Sequence, residues 1–265
     1  MLLFFAAVFG LILGSFFNVI ISRLPKNESI LWPASHCPRC NTPLKPWHNI
    51  PVLSYLFLKG RCFSCHKPIS PVYPIIELVT SFFACVLWQF YLISQLPMPW
   101  YQVILAALQS LFLLLIIPIT IIDFRHYIIP DSITLPGLAL GIAFSFLPGF
   151  PTPVESLLGI LAGGGTLYAI GWIGAVLFKK GEAMGGGDIK LMAATGAFFG
   201  YQTAILAILF GAFSGSLYGI TVMLSKKINS EHQIPFGPFL GAGVWLGLLL
   251  GDQVITWYLS WANLQ

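Results

Sequence analysis

Residues 101–122 read YQVILAALQSLFLLLIIPITII, twenty-two positions without a charge, and the next residue is Asp123. A helix needs about 20 apolar residues to cross a hydrocarbon core about 30 Å thick. The stretch therefore predicts a membrane-spanning helix that delivers a carboxylate to the membrane surface. The rest of the chain has the same character. Of 265 residues, 57% belong to the AVILMFWYC set and only 8% are charged, with a mean hydropathy of +0.85. Soluble domains carry about 25% charged residues, and a chain so poor in charge must present most of its surface to lipid. The same composition excludes a disordered chain, a disulfide-rich miniprotein and a nucleic-acid binder. The fold class expected is an all-α polytopic membrane protein.

Further apolar stretches run over 2–21, 74–96, 132–147, 154–178 and 235–259, while 189–224 is too long for one span. Parting it near Gly200 and Tyr201 gives about eight transmembrane helices. Leu2 to Ile21 has neither a basic start nor a small-residue cleavage site, and reads as a retained first span. Residues 22–73 form the one sizeable polar segment. The chain is thus expected to divide into a first helix over 1–21, a loop domain over 22–73 and a core of about seven helices over 74–265.

That loop carries Arg23, Lys26, Arg39, Lys45, Lys59, Arg61 and Lys67 against a single acid, Glu28. With eight spans, the other basic residues, Arg125, Lys179, Lys180, Lys190, Lys226 and Lys227, fall on the same side. The opposite loops, near 97–100, 149–153 and 200–201, have none. An excess of lysine and arginine marks the cytoplasmic side. The loop is therefore expected in the cytoplasm and both termini across the membrane from it. Part of its charge also suits attraction to anionic lipid.

Within the loop, Cys37-Pro-Arg-Cys40 and Cys62-Phe-Ser-Cys65 form two CxxC pairs separated by 21 residues. Two such turns together supply four thiolates in the pattern of a structural zinc site. A cytosolic loop keeps its thiols reduced, and a segment of about 50 residues has too little core to fold unaided, so metal ligation supplies what burial does not. A redox pair is the competing reading. His36, His48 and His66 are possible substitute ligands. A closed four-thiolate shell has no open position for water, so this zinc is structural. Cys85, alone in an apolar span, reads as a small packing residue.

Nine acids remain to be weighed. Glu28, Glu155, Glu182, Glu231 and Asp252 sit in loops or at span ends where a carboxylate is readily accommodated. Asp123, Asp131, Asp188 and Glu77 lie at the membrane edge or just inside it, where an ionisable group is costly and marks function by default. Asp131 follows Pro130 and can serve as a helix cap. Asp188 closes the run Gly185-Gly186-Gly187, whose glycines allow close approach and unusual dihedrals. Topology puts Asp123 and Asp188 on different spans at the same face. If those spans are neighbours, two carboxylates share a half-dry pocket and cannot both ionise freely. Such a pair suits hydrolysis, one carboxylate taking a proton from water while the other polarises a peptide carbonyl. A proton relay in a transporter fits the acids equally well. A zinc-organised scaffold without chemistry explains the loop and leaves the aspartates idle.

The residues also carry a resemblance over nearly the whole chain. Gly14-Ser15-Phe16-Phe17-Asn18-Val19 with Arg23-Leu24-Pro25, the two CxxC pairs, Pro68-Ile69-Ser70 leading to Tyr73-Pro74 and Glu77, Asp123 through Ile129-Pro130-Asp131, Gly185 to Leu191, and Pro235-Phe236-Gly237-Pro238 occur in that order. In this the chain resembles the type IV prepilin peptidases, membrane aspartyl enzymes serving type IV pili and type II secretion. The resemblance implies an inner-membrane endopeptidase with Asp123 and Asp188 as its catalytic pair and Gly185 and Gly187 beside the substrate backbone. The substrates implied are prepilins or pseudopilins, cut after glycine at the cytoplasmic face. Members with the long cysteine loop also methylate the new amino terminus with S-adenosylmethionine. No glycine-rich nucleotide fingerprint marks residues for that methyl donor. Lys190 is read either as orienting the site or as meeting phospholipid, and Glu77 as touching the zinc loop, the substrate's basic leader or a neighbouring span.

Overall fold

The structure, a computed structural model, describes residues 2–93, 99–178, 184–225 and 234–262. The expected loop charges Lys179, Lys180, Glu182, Lys226, Lys227 and Glu231 lie outside the described residues. Among the described residues the regular structure is helical, with no strand. Six helices are long and apolar enough to cross a membrane, and a shorter apolar helix covers Asp131–Phe144.

The helices follow in chain order as α1 (Leu2–Arg23), α2 (Leu53–Phe57), α3 (Val72–Leu87) running on into a π segment (Trp88–Ile93), and α4 (Trp100–His126). Next come α5 (Asp131–Phe144), α6 (Pro153–Ile160) joined through a π segment (Leu161–Gly165) to α7 (Thr166–Phe178), α8 (Gly186–Leu224) and α9 (Gly237–Trp261). The expected parting of 189–224 is present as a backbone break. Gly200 sits at φ 79°, ψ 176° inside the 39-residue α8, a conformation closed to residues with a Cβ. With that break counted, the apolar helical segments among the described residues number eight. The expected span over 132–147 is shorter than its hydropathy suggests, because Pro130 sets its start and the helix ends before Ser145. Fourteen residues at 1.5 Å each reach only about 21 Å. Glu155 closes a capping box with Thr152 at the start of α6, each satisfying the other's backbone amide.

The chain divides into two compact units, Met1–Pro118 and Ile119–Gln265. In the first, α1 packs along α3. A Cβ at Gly14 would fall 2.6 Å from the Glu77 Cα, so only glycine lets the backbones meet there. The Ser81 hydroxyl donates to the Ala7 carbonyl at 2.9 Å and the Asn18 amide to the Tyr73 carbonyl at 3.2 Å. Close packing and interhelical hydrogen bonds of this kind hold helices together in lipid, where burial itself drives little. Cys85 lies at the same contact, its thiol 3.9 Å from the Leu3 carbonyl.

In the second unit, the first half of α8 is the central helix. Residues Leu191 through Phe198 are all buried, the pattern of a helix enclosed on every side. Gly141 of α5, Gly159 of α6 and the π segment that follows α6 approach it closely, and α9 packs on its second half.

Candidate active site and metal centre

Asp123 lies in the last turn of α4 and Asp188 in the first turn of α8, both in the second unit. Their side chains are buried, at 6% and 8% exposure, and close enough for the charge of one to act on the other. Ile119, Ile129 and Leu191 form a buried apolar cluster, with Ile133 packed against it. Ile119 and Leu191 each lie one turn from an aspartate, so the periodicity of α4 and α8 places acid and cluster on the same face of each helix.

The two carboxylates are held differently. Asp123 Oδ2 accepts a hydrogen bond from the Gly237 backbone amide at 2.9 Å. Gly237 opens α9, where backbone N–H groups have no helical partner, and Pro238 behind it has no N–H. A Cβ at Gly237 would fall 2.6 Å from the same carboxylate oxygen. Asp188 Oδ1, by contrast, is buried without a hydrogen-bond partner among the described residues. Pro235-Phe236-Gly237-Pro238 thus supplies an amide to Asp123, a task its sequence does not announce. A glycine just inside a helix start, immediately before proline, was the available signal.

The glycines before Asp188 serve close approach rather than unusual dihedrals. Among the described residues, the glycines at positive φ are Gly60, Gly149 and Gly200, so Gly185, Gly186 and Gly187 are not among them. A Cβ at Gly185 would lie 2.8 Å from Asp188 Oδ2, and one at Gly187 would lie 2.7 Å from the Ile129 Cβ. At Gly186 nothing is within 4 Å. The steric demand thus alternates along the run, which explains a Gly-x-Gly-Asp pattern.

Asp131 is not a cap. Pro130 occupies that position and no side chain caps the helix. Instead Lys190 Nζ donates to both Asp131 oxygens, at 2.8 and 2.7 Å. Glu77, in the first unit, touches the cysteine-bearing loop. Its Oε2 accepts the Val52 amide at 2.7 Å, and Val52 is held at φ 60°, ψ −49°, an outlying conformation for a β-branched residue.

Cys37, Cys40, Cys62 and Cys65 come together in the first unit, all four sulfurs within 4.8 Å of one another, and all are free thiols. Zn–S bonds of about 2.3 Å in a tetrahedron place sulfurs about 3.8 Å apart, and Cys37 and Cys65 Sγ are 4.0 Å apart. The cluster fits a tetrahedral metal ion. Its two halves share one construction. The first cysteine of each pair donates its amide to the residue five further on, Thr42 or Lys67, and accepts from the residue four further on, Asn41 or His66. Asn41 and His66 both sit at φ 54°. The Thr42 hydroxyl lies 3.2 Å from Cys40 Sγ, and hydrogen bonds from Thr42 bring the Cys40 thiol down to about 6. Backbone amides of Cys65 and Ser64 lower Cys62 as well. His36, His48 and His66 stay outside the cluster; His48 stacks on Phe63, ring centroids 4.2 Å apart.

Comparison with known proteins agrees with this architecture. Residues 8–91 match the Bacterial Peptidase A24 N-terminal domain and residues 108–220 the Type IV leader peptidase family. The chain is 35% identical to the prepilin leader peptidase/N-methyltransferase of Aeromonas salmonicida, over 97% of this chain and 94% of that one. It is 33% identical to the proteins of the same name from Pseudomonas aeruginosa, over 97% and 93%, and Neisseria gonorrhoeae, over 96% and 94%. No solved structure matches it. With near-complete coverage of such relatives, a cysteine cluster in the segment matching the N-terminal domain and two buried aspartates in the segment matching the peptidase family, the chain belongs to the prepilin leader peptidase/N-methyltransferase family.

Proposed function

We propose that this protein is a membrane-embedded aspartyl endopeptidase that cleaves the leader of type IV prepilins or pseudopilins after glycine at the cytoplasmic membrane face, and then methylates the new amino terminus with S-adenosylmethionine. It resides in the bacterial inner membrane, with both termini periplasmic. Residues 22–73 are its zinc-bearing cytoplasmic domain, 1–21 its first helix and 74–265 its protease core. The transport reading that the acids alone allowed finds no support in the family. The observation that supports the proposal is the burial of both Asp123 and Asp188, at the end of α4 and the start of α8, one helical turn from members of one apolar cluster.

Chemically, two acids in a partly desolvated pocket can divide the work of peptide hydrolysis. The Gly237 amide offers Asp123 a donor that an ionised carboxylate accepts. Asp123 therefore takes the proton from an attacking water, and Asp188 polarises the scissile carbonyl and protonates the leaving nitrogen. Gly185 and Gly187 keep Asp188 close to the substrate backbone. A substrate helix that stays in the bilayer presents its leader junction at this depth without leaving lipid. Cys37, Cys40, Cys62 and Cys65 would hold a zinc ion, which would supply folding energy to the loop.

Purified full-length protein with a synthetic prepilin tests the assignment. Asp123→Asn and Asp188→Asn should each abolish cleavage while the protein stays folded and membrane-inserted. Cleavage at the wild-type rate by either variant sinks it. Transfer of a labelled methyl group to the cleaved product tests the second activity.

A further inference from the structure

Asp123 is aimed by a backbone amide, but Asp188 has an oxygen with no such guide. Its direction must come from how the start of α8 is placed. Two contacts fix that start. Ile129 fills the space beside Gly187, and Lys190, two residues beyond Asp188, grips both oxygens of Asp131.

Both partners, Ile129 and Asp131, belong to the short segment that leaves α4 immediately after Asp123. Tyr127 ends α4 in the left-handed region, φ 56°, with its amide donated to the Asp123 carbonyl at 2.8 Å. From there the chain runs through Ile129 and Pro130 to Asp131, where α5 begins. Covalent chain from Asp123 to Asp131, the ion pair from Asp131 to Lys190, and covalent chain from Lys190 back to Asp188 form a short path that joins the two aspartates. The ion pair is the polar link in that path, and the packing of Ile129 beside Gly187 braces the same two segments.

We propose that Asp131 and Lys190 are positioning residues for peptide cleavage, their ion pair setting the separation and approach of Asp188 relative to Asp123. The proposal rests on the assignment of Asp123 and Asp188 as the catalytic pair. The side chains of Lys190 and Asp131 are 40% and 53% exposed, and exposed ion pairs add little to stability. The pair therefore acts on turnover rather than on folding. Small displacements of a catalytic group are expensive in rate, with about 1 Å costing up to about a hundredfold.

The test uses the full-length protein in nanodiscs and a synthetic prepilin, reading kcat, KM and thermal stability together. Lys190→Met and Asp131→Asn should each lower kcat by about tenfold or more, with KM and stability unchanged. The double variant should be no slower than either single one, because both remove the same link. Lys190→Arg should keep most of the activity, and the exchanged pair Asp131→Lys with Lys190→Asp should recover much of what each half loses alone. Wild-type kcat in the single variants overturns the proposal. So do losses that multiply in the double variant, losses that track stability, or a Lys190→Met defect that depends on anionic lipid while Asp131→Asn is normal. Asp188→Asn run alongside separates the two assignments. If that variant still cleaves, the catalytic pair itself is wrong. If it is inactive while Lys190→Met turns over normally, only the positioning role fails.

Discussion

The Gly237 amide hydrogen-bonds to the carboxylate of Asp123 at 2.9 Å across 114 residues of chain. Any residue but proline would supply the free N–H at the start of α9, but only glycine fits, because a Cβ would lie 2.6 Å from the oxygen it serves. Gly237→Ala should therefore displace the carboxylate. Cleavage is expected to fall by about a hundredfold while α9 still inserts, measured as prepilin turnover alongside protease protection of the C-terminal helix. Undiminished turnover would remove Gly237 from the site.

The three glycines before Asp188 should not be equivalent. Gly186 has nothing within 4 Å of where a Cβ would go, whereas Gly185 and Gly187 face the Asp188 carboxylate and Ile129. Gly186→Ala is expected to cleave near the wild-type rate, and Gly185→Ala and Gly187→Ala to lose about tenfold or more. The same prepilin assay on all three variants decides it, and equal behaviour at the three positions contradicts the steric account.

Metal content checks the cysteine cluster. Cys37→Ser or Cys62→Ser removes one thiolate from a set whose sulfurs lie within 4.8 Å. Bound zinc, measured by elemental analysis of purified protein, should drop from about one per chain to near zero. Residues 22–73 should then become sensitive to trypsin. A native protein found free of metal, with the loop still resistant, rules the site out.

The helical spans, the parting near Gly200, the cysteine cluster and the placing of Asp123 and Asp188 at span ends are legible in the sequence. Each rests on composition or spacing, quantities that act locally or accumulate along the chain. What escaped was pairing between distant partners. Asp131 reads as a cap because aspartate after proline at a helix start usually is one. Its actual partner, Lys190, is 59 residues away, and no local rule connects them. Contact of Glu77 with the cysteine loop is among the sequence expectations, but the residue it meets there, Val52, is hidden for the same reason. In the glycine run close approach is legible but its partners are not, because crowding by Ile129 and by the Asp188 side chain depends on tertiary neighbours that a one-dimensional pattern does not contain.

The mooring of Asp123 by α9 has a consequence for how the enzyme comes into being. When translation has passed Asp188 but not yet reached Gly237, both acids exist without the amide that aims one of them. The nascent polypeptide thus carries an unfinished blade until α9 joins the bundle, and proteolytic competence waits on that packing step.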